Sequence, residues 1–167
     1  MTDRTKQNPG RLSGLDLIYN PSLGSFLFWR AASGYFSECG RGLPVALAFT
    51  VLPIALHDQS RRVLFGTKLP SGLTLFAAKL GVEQESLLAI HNRTLALRSL
   101  SLASLTAGVM SEMLILDSTS ATILSMSSAP PQLSPNMQKL GLGCEKLGVW
   151  FARIPIEQVA STLRVSF

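Results

Sequence analysis

Charge is scarce in this sequence. Of its 167 residues, only 15% are Asp, Glu, Lys or Arg, and the mean hydropathy is +0.31. Typical soluble domains carry about 25% charged residues. A chain of this length suits one domain with a real core, but so apolar a composition leaves more apolar surface than one small core hides. We therefore expect a large interface with a partner protein; the alternative is a monomer with an unusually rich core.

Long hydrophobic runs are also missing. The most apolar run, residues 43–56, is short and contains a proline, whereas a membrane span needs about 20 apolar residues. The first residues are polar and lack the apolar core of a signal peptide. Only two cysteines occur, Cys39 and Cys144, in no metal-like spacing. These absences predict a cytoplasmic protein without a membrane segment, and reduced, buried thiols.

Catalytic motifs are absent as well. There is no phosphate-binding G-x-x-x-x-G-K, no G-x-S-x-G and no S-x-x-K. The run LGLGC has only two glycines and lacks the third of a dinucleotide fingerprint, so it predicts helix packing instead. His91 is expected to be buried and hydrogen-bonded, and His57 to meet the last carbonyls of a helix. We predict no enzyme activity, no cofactor and no metal; a site assembled only in space stays open.

Positive charge is present but unevenly placed. The net charge is +5, yet eleven of the fifteen Lys and Arg residues precede residue 99, and none lies in 99–138. The densest cluster, Arg61, Arg62 and Lys68, is a candidate for phosphate contacts, although a solvated face is the commoner use of such a cluster. Any DNA contact is therefore expected outside 99–138, or only through a larger complex.

The pattern of apolar residues predicts a mainly α fold with a short β-hairpin. Residues 1–18 read as a flexible tail and 19–167 as a single mostly helical domain. Within it, segment 71–126 (short helix, helix, helix, hairpin) resembles a winged helix, with extra helices at both ends. Asn20 and Pro21 predict a helix start, and Gly40 and Gly42 predict the end of that helix after about Ser37.

Two predicted helices have clear patterns of apolar residues. In 101–113 we expect Ser101 to cap the helix and an apolar stripe to face the core. That stripe comprises Leu102, Leu105, Val109, Met110 and Met113. In the helix that Ser134 and Pro135 begin, apolar residues recur at intervals of three and four, and its glycines let another backbone come close. That seam comprises Met137, Leu140, Cys144, Leu147 and Phe151.

A DNA-reading helix needs Arg, Lys, Asn or Gln on base edges and cations for phosphates. The helix 101–113 offers small and apolar residues instead, with Glu112, and its hairpin offers Asp117. A winged helix of this kind is therefore expected to contact protein. The candidate interface residues are Ser104, Ala107, Glu112, Trp29 and Trp150.

Several segments resemble a known family. NPSLGSFLFWR, HNRTLALR and EKLGVWF are similar to the middle component of three-component ABC systems, the Lamassu-type defence systems of bacteria. The similarity runs from about Tyr19 to the C-terminus. It implies a small non-enzymatic adaptor beside an SMC-like or Rad50-like ABC ATPase and a separate effector, often a nuclease, acting against phages and plasmids. The competing readings are a winged-helix DNA-binding transcription regulator and a small enzyme with an unrecognised site.

Overall fold

The computed structural model describes residues 19–82, 84–126 and 132–167. The predicted tail, residues 1–18, lies outside the described residues. This described part is mostly helical with a small antiparallel sheet, as predicted. Its helices are α1 (Pro21–Cys39), α2 (Val45–Ala55), α3 (Asp58–Gly66), α4 (Gly72–Gly81), α5 (Gln84–Ala96), α6 (Arg98–Met110), α7 (Pro135–Ala152) and α8 (Ile156–Leu163). Its strands are β1 (Leu43–Pro44), β2 (Leu114–Asp117) and β3 (Thr122–Ser125), and a 3₁₀ turn spans Leu69–Ser71.

Helix α1 begins and ends where the sequence predicts. The Asn20 side chain accepts a hydrogen bond from the Ser22 N–H at 2.9 Å, and Pro21 occupies the first turn, where no N–H is needed. Gly40 ends the helix in a left-handed conformation (φ 67°), and its N–H bonds to the Phe36 carbonyl.

Helices α1 and α7 cross with their backbones in contact. A Cβ atom placed on Gly148 would lie 2.0 Å from the Ala31 carbonyl oxygen, and one on Gly34 would lie 2.0 Å from the Glu145 carbonyl oxygen. Only glycine permits so close an approach. The predicted seam of α7 is confirmed, since four of its five members are buried and Met137 is partly buried. The four are Leu140, Cys144, Leu147 and Phe151.

The predicted hairpin is β2 and β3, and β1 adds a third strand to give the order β1-β3-β2. The indole N–H of Trp29 donates to the Met126 carbonyl at 2.8 Å and ties the end of the hairpin to α1. Strand β1 lies outside segment 71–126, so the sheet is larger than predicted. The winged-helix arrangement of that segment stays a prediction.

The prediction that the apolar stripe of helix α6 faces the core is wrong. The helix begins at Arg98, Ser101 is buried inside it rather than capping it, and only Leu105 of the stripe is buried. The reason is the close contact with α1, where a Cβ on Gly24 would lie 1.9 Å from Ser104 Oγ. A narrow contact of this kind selects small side chains, so the inward side of α6 carries Leu100, Ser101, Ser104, Leu105 and Gly108.

Candidate interaction surface

Large apolar side chains point outward from α6 and from the strand that follows it. Met110 at the end of α6 is 81% exposed, and the others are between 38% and 47% exposed. Single exposed apolar residues are ordinary, but a group of them on adjoining elements indicates an interaction site. The α6–β2 surface, as we call this group, consists of Leu102, Val109 and Met110 of α6 and Ile115 and Leu116 of β2.

The α6–β2 surface rests on close packing beneath it. The Ser25 hydroxyl on α1 donates to the Ser104 carbonyl at 2.6 Å, which joins α1 to the inner side of α6. A Cβ on Gly108 would lie 2.6 Å from Leu114 Cδ1, so the end of α6 presses on the buried side of β2. Both elements are therefore held in fixed relation to the rest of the chain.

Two carboxylates flank the α6–β2 surface without a compensating cation in 99–138. Glu112 lies between α6 and β2 and is exposed, with a left-handed backbone (φ 58°) that ordinarily favours glycine. Asp117 ends β2, and hydrogen bonds hold its pKa below the ordinary value, chiefly from the Ser120 hydroxyl and then from the Thr119 and Ser120 N–H groups. The surface is thus apolar with a negative margin.

The candidate interface residues fall into two groups. Ser104, Trp29 and Trp150 are buried, with 0%, 7% and 1% of their surface exposed, so their side chains pack within this chain instead of forming its outer surface. Trp150 donates its indole N–H to the Leu69 carbonyl. Ala107 on α6 is partly exposed, and Glu112 is exposed. The exposure of Leu102, Val109 and Met110 could not be predicted from the sequence, because their spacing matches that of residues facing a core.

The candidate phosphate contacts are on other elements, on and just after α3. The guanidinium groups of Arg61 and Arg62 both pair with the Asp58 carboxylate, at 2.8 and 2.5 Å. Lys68 is exposed in the turn after α3. The charges of two of the three cations are therefore partly neutralised by a carboxylate on the same helix.

The histidines serve as hydrogen-bond acceptors. His57 does not meet the last carbonyls of α2; its Nδ1 instead accepts from the Ser60 N–H at 3.3 Å and caps the start of α3. Its pKa is lowered, first by burial and then by the nearby Arg93 cation. His91 is partly buried, and its Nδ1 accepts from the Ser166 N–H at 3.4 Å. Both contacts stabilise the local structure.

Lys146 and Cys144, both on α7, also have structural surroundings. The Lys146 ammonium donates to the Leu64 and Thr67 carbonyls at 2.6 Å each and so caps the end of α3; burial, and then Lys79, lowers its pKa. Cys144 is fully buried, and burial raises the pKa of its thiol. In the described ranges, no three His, Cys, Asp or Glu side chains are grouped as metal ligands.

An apolar groove of about 340 Å³ lies between the starts of α1 and α7, next to Met113 just before β2. Its lining contains no titratable side chain, and its only polar residues are Asn20 and Ser22 at the start of α1. General acid–base or nucleophilic catalysis needs titratable or activated groups in the cavity. The groove lining is thus suited to apolar contact. It also includes Leu23, Phe26, Met113, Leu133 and Met137.

The α6–β2 surface is apolar and has no Lys or Arg among its residues, which is typical of a site of protein–protein contact. Comparison with protein families agrees: the model of the ABC-three component (ABC-3C) system Middle Component 3 family matches residues 11–167, and the chain belongs to that family. No curated protein and no solved structure matches the chain. Among the described residues, no helix has the length and apolar character that crossing a membrane requires.

Proposed function

We propose that this middle component is a non-catalytic adaptor that holds an SMC-like or Rad50-like ABC ATPase and an effector, often a nuclease, in one complex. The complex acts in the cytoplasm against phages and plasmids, as in Lamassu-type defence, and the adaptor needs no cofactor. Membership of the middle-component family over residues 11–167 supports a role between two other components.

The observation that carries the proposal is the α6–β2 surface. Side chains such as Met110 and Ile115 are exposed on the isolated chain, and burying apolar surface contributes about 25 cal/mol per Å². Stable interfaces bury roughly 800 Å² on each partner. An apolar surface on adjoining, well-packed elements is suited to a lasting contact with another protein.

The same surface disfavours a DNA-binding regulator. Arg98, at its first residue, is the one cation of α6, and the outward side chains Leu102, Val109 and Met110 cannot hydrogen-bond base edges. Glu112 and Asp117 would repel phosphates. DNA binding by the isolated chain should therefore be weak and strongly dependent on salt.

The experiment reconstitutes the three components of the system. The ATPase component is immobilised, and retention of the effector is measured with and without this chain, at 0.15 M salt and at higher salt. Retention that needs the chain and survives added salt supports the adaptor, because apolar contacts are not screened. Equal retention without the chain contradicts it.

The second arm measures binding of duplex DNA by this chain alone, as fluorescence anisotropy over a salt series. The adaptor predicts affinity that falls steeply with salt, through cations such as Arg62 and Lys68 that lie outside 99–138. Tight, sequence-specific binding at physiological salt would favour the regulator instead.

A further inference from the structure

One edge of the sheet carries unpaired backbone groups. In the order β1-β3-β2, strand β3 is central, and no described residue pairs with the far side of β2. The Met126 N–H bonds to the Met113 carbonyl, and Leu114 faces Ser125 in the next position of the register. Hydrogen-bonded pairs alternate along an antiparallel ladder. The N–H and C=O groups of Leu114 and Leu116 therefore point away from β3, toward the open edge.

The two edges of this sheet differ in how well they resist further pairing. Strand β1 is two residues long and ends in Pro44, which has no N–H to donate. Strand β2 has no proline, and Ile115 and Leu116 expose apolar side chains on its two faces. An incoming strand would find backbone partners at the edge and apolar contacts on both faces. This combination is the requirement for strand addition.

We propose that β2 accepts an extended segment of another component of the system as a fourth strand, and that this segment carries Lys or Arg beside Glu112 and Asp117. The inference rests on the adaptor function and names the partner's chemistry. Backbone hydrogen bonds to Leu114 and Leu116 fix the register, and apolar side chains of the segment cover Ile115 and Leu116.

The charges beside β2 favour a segment of another protein over a second copy of this chain as the added strand. Glu112 and Asp117 are the only charged residues in 99–138. Pairing of two β2 edges would gather four carboxylates and no cation from these segments, and like charges across neighbouring strands are destabilising. A segment with Lys or Arg at its ends instead forms opposite-charge pairs with both carboxylates.

The first test changes the backbone at the open edge. Leu116→Pro removes the outward N–H and places a ring where the new strand would lie, while every bond to β3 is kept. Ile115 already has the extended backbone that a residue before proline favours. Leu116→Ala is the matched control, because it removes the side chain and keeps the N–H. We expect Leu116→Pro to bind the partner component at least about tenfold more weakly, and Leu116→Ala clearly less so.

The second test removes the negative margin without harming the fold. Glu112→Gly suits the left-handed backbone at this position and should raise the melting temperature. Asp117→Asn keeps an acceptor for the Thr119 and Ser120 N–H groups. Each variant should weaken partner binding about twofold to fivefold at low salt, and much less at high salt. Unchanged binding at low salt in both variants would refute the proposal that the partner segment carries Lys or Arg beside these carboxylates.

Amide hydrogen exchange gives the direct readout of strand addition. In the free chain the Leu114 and Leu116 amides should exchange quickly, and those of Ile115 and Asp117 slowly, because β3 holds them. In the complex all four should be protected. Persistent fast exchange at Leu114 and Leu116 in the assembled complex overturns the proposal.

The outcomes separate this inference from the adaptor function. If wild-type chain and Leu116→Pro both hold ATPase and effector together, strand addition is refuted and the adaptor stands. If the wild type binds only one component and Leu116→Pro loses it, strand addition is supported and bridging is refuted. If the wild type binds neither purified component, both are refuted.

Discussion

Gly148 gives the sharpest test of how the fold is held together. In the substitution Gly148→Ala, the new Cβ would lie 2.0 Å from the Ala31 carbonyl oxygen and 2.8 Å from the Tyr35 nitrogen. Both neighbours are main-chain atoms of α1, which cannot rotate away as a side chain could. The helices must therefore separate, which disturbs the buried seam of α7 around Leu147.

The change in the free energy of unfolding caused by Gly148→Ala combines two opposing contributions. Alanine inside a helix is favoured over glycine by about 1 kcal/mol, whereas overpacking in a core costs about 1–3 kcal/mol, and contact with main chain belongs at the upper end. We expect a net loss of about 2 kcal/mol, or a fall in melting temperature of about 4–8 °C for a chain of this size.

Gly66→Ala is the matched control for this prediction. Gly66 is the last residue of α3, and a Cβ there meets nothing within 4 Å. The stability of the Gly66→Ala variant should equal that of the wild type or be slightly higher. Thermal and urea unfolding of both variants provide the assay. Equal stability of Gly148→Ala and Gly66→Ala would refute the backbone contact between α1 and α7.

Three further predictions concern buried or titrating groups. Leu105 is 8% exposed on the inner side of α6, so Leu105→Ala should lower the free energy of unfolding by about 2–5 kcal/mol. An unchanged urea midpoint would contradict the packing of Leu105. Because burial and Arg93 lower the folded pKa of His57, the unfolded chain takes up the proton first. Stability should fall as pH drops below about 6.5 toward that lowered pKa, and His57→Asn, which keeps an acceptor for the cap, should show a smaller fall. Cys144 should resist thiol reagents in the native chain while the partly exposed Cys39 reacts, and Cys144→Ser should leave assembly intact, at some cost in stability from a buried hydroxyl; rapid labelling of Cys144 would contradict its burial.

Sequence patterns located the elements whose signals are local. The cap at Asn20, the glycine stop at Gly40 and the α7 seam depend on residues within one helix, so they were predictable and are confirmed. Even the backbone contact of α7 was foreseen from its glycines, although its partner helix was not.

The orientation of α6 was not predictable in this way. Which side of a helix faces the core depends on its neighbour, and here α1 presents Gly24 and Ser25 to it. That tight contact takes small side chains, so Ser104 faces inward and Met110 outward, the reverse of what hydrophobic spacing indicates. Likewise, two residues paired with a distant hairpin give no periodic signal, so β1 was missed.

The most direct test of the adaptor role places a charge on the α6–β2 surface. Met110→Asp introduces a carboxylate at a residue 81% exposed at the end of α6, and Val82→Asp does the same at a residue 85% exposed just after α4. The measurement is recovery of the effector on immobilised ATPase through each variant, with folding checked by circular dichroism. We expect Met110→Asp to lose recovery, because an unpaired charge is buried at the interface, and Val82→Asp to retain it. Equal recovery through both folded variants would contradict the α6–β2 surface as the site of assembly.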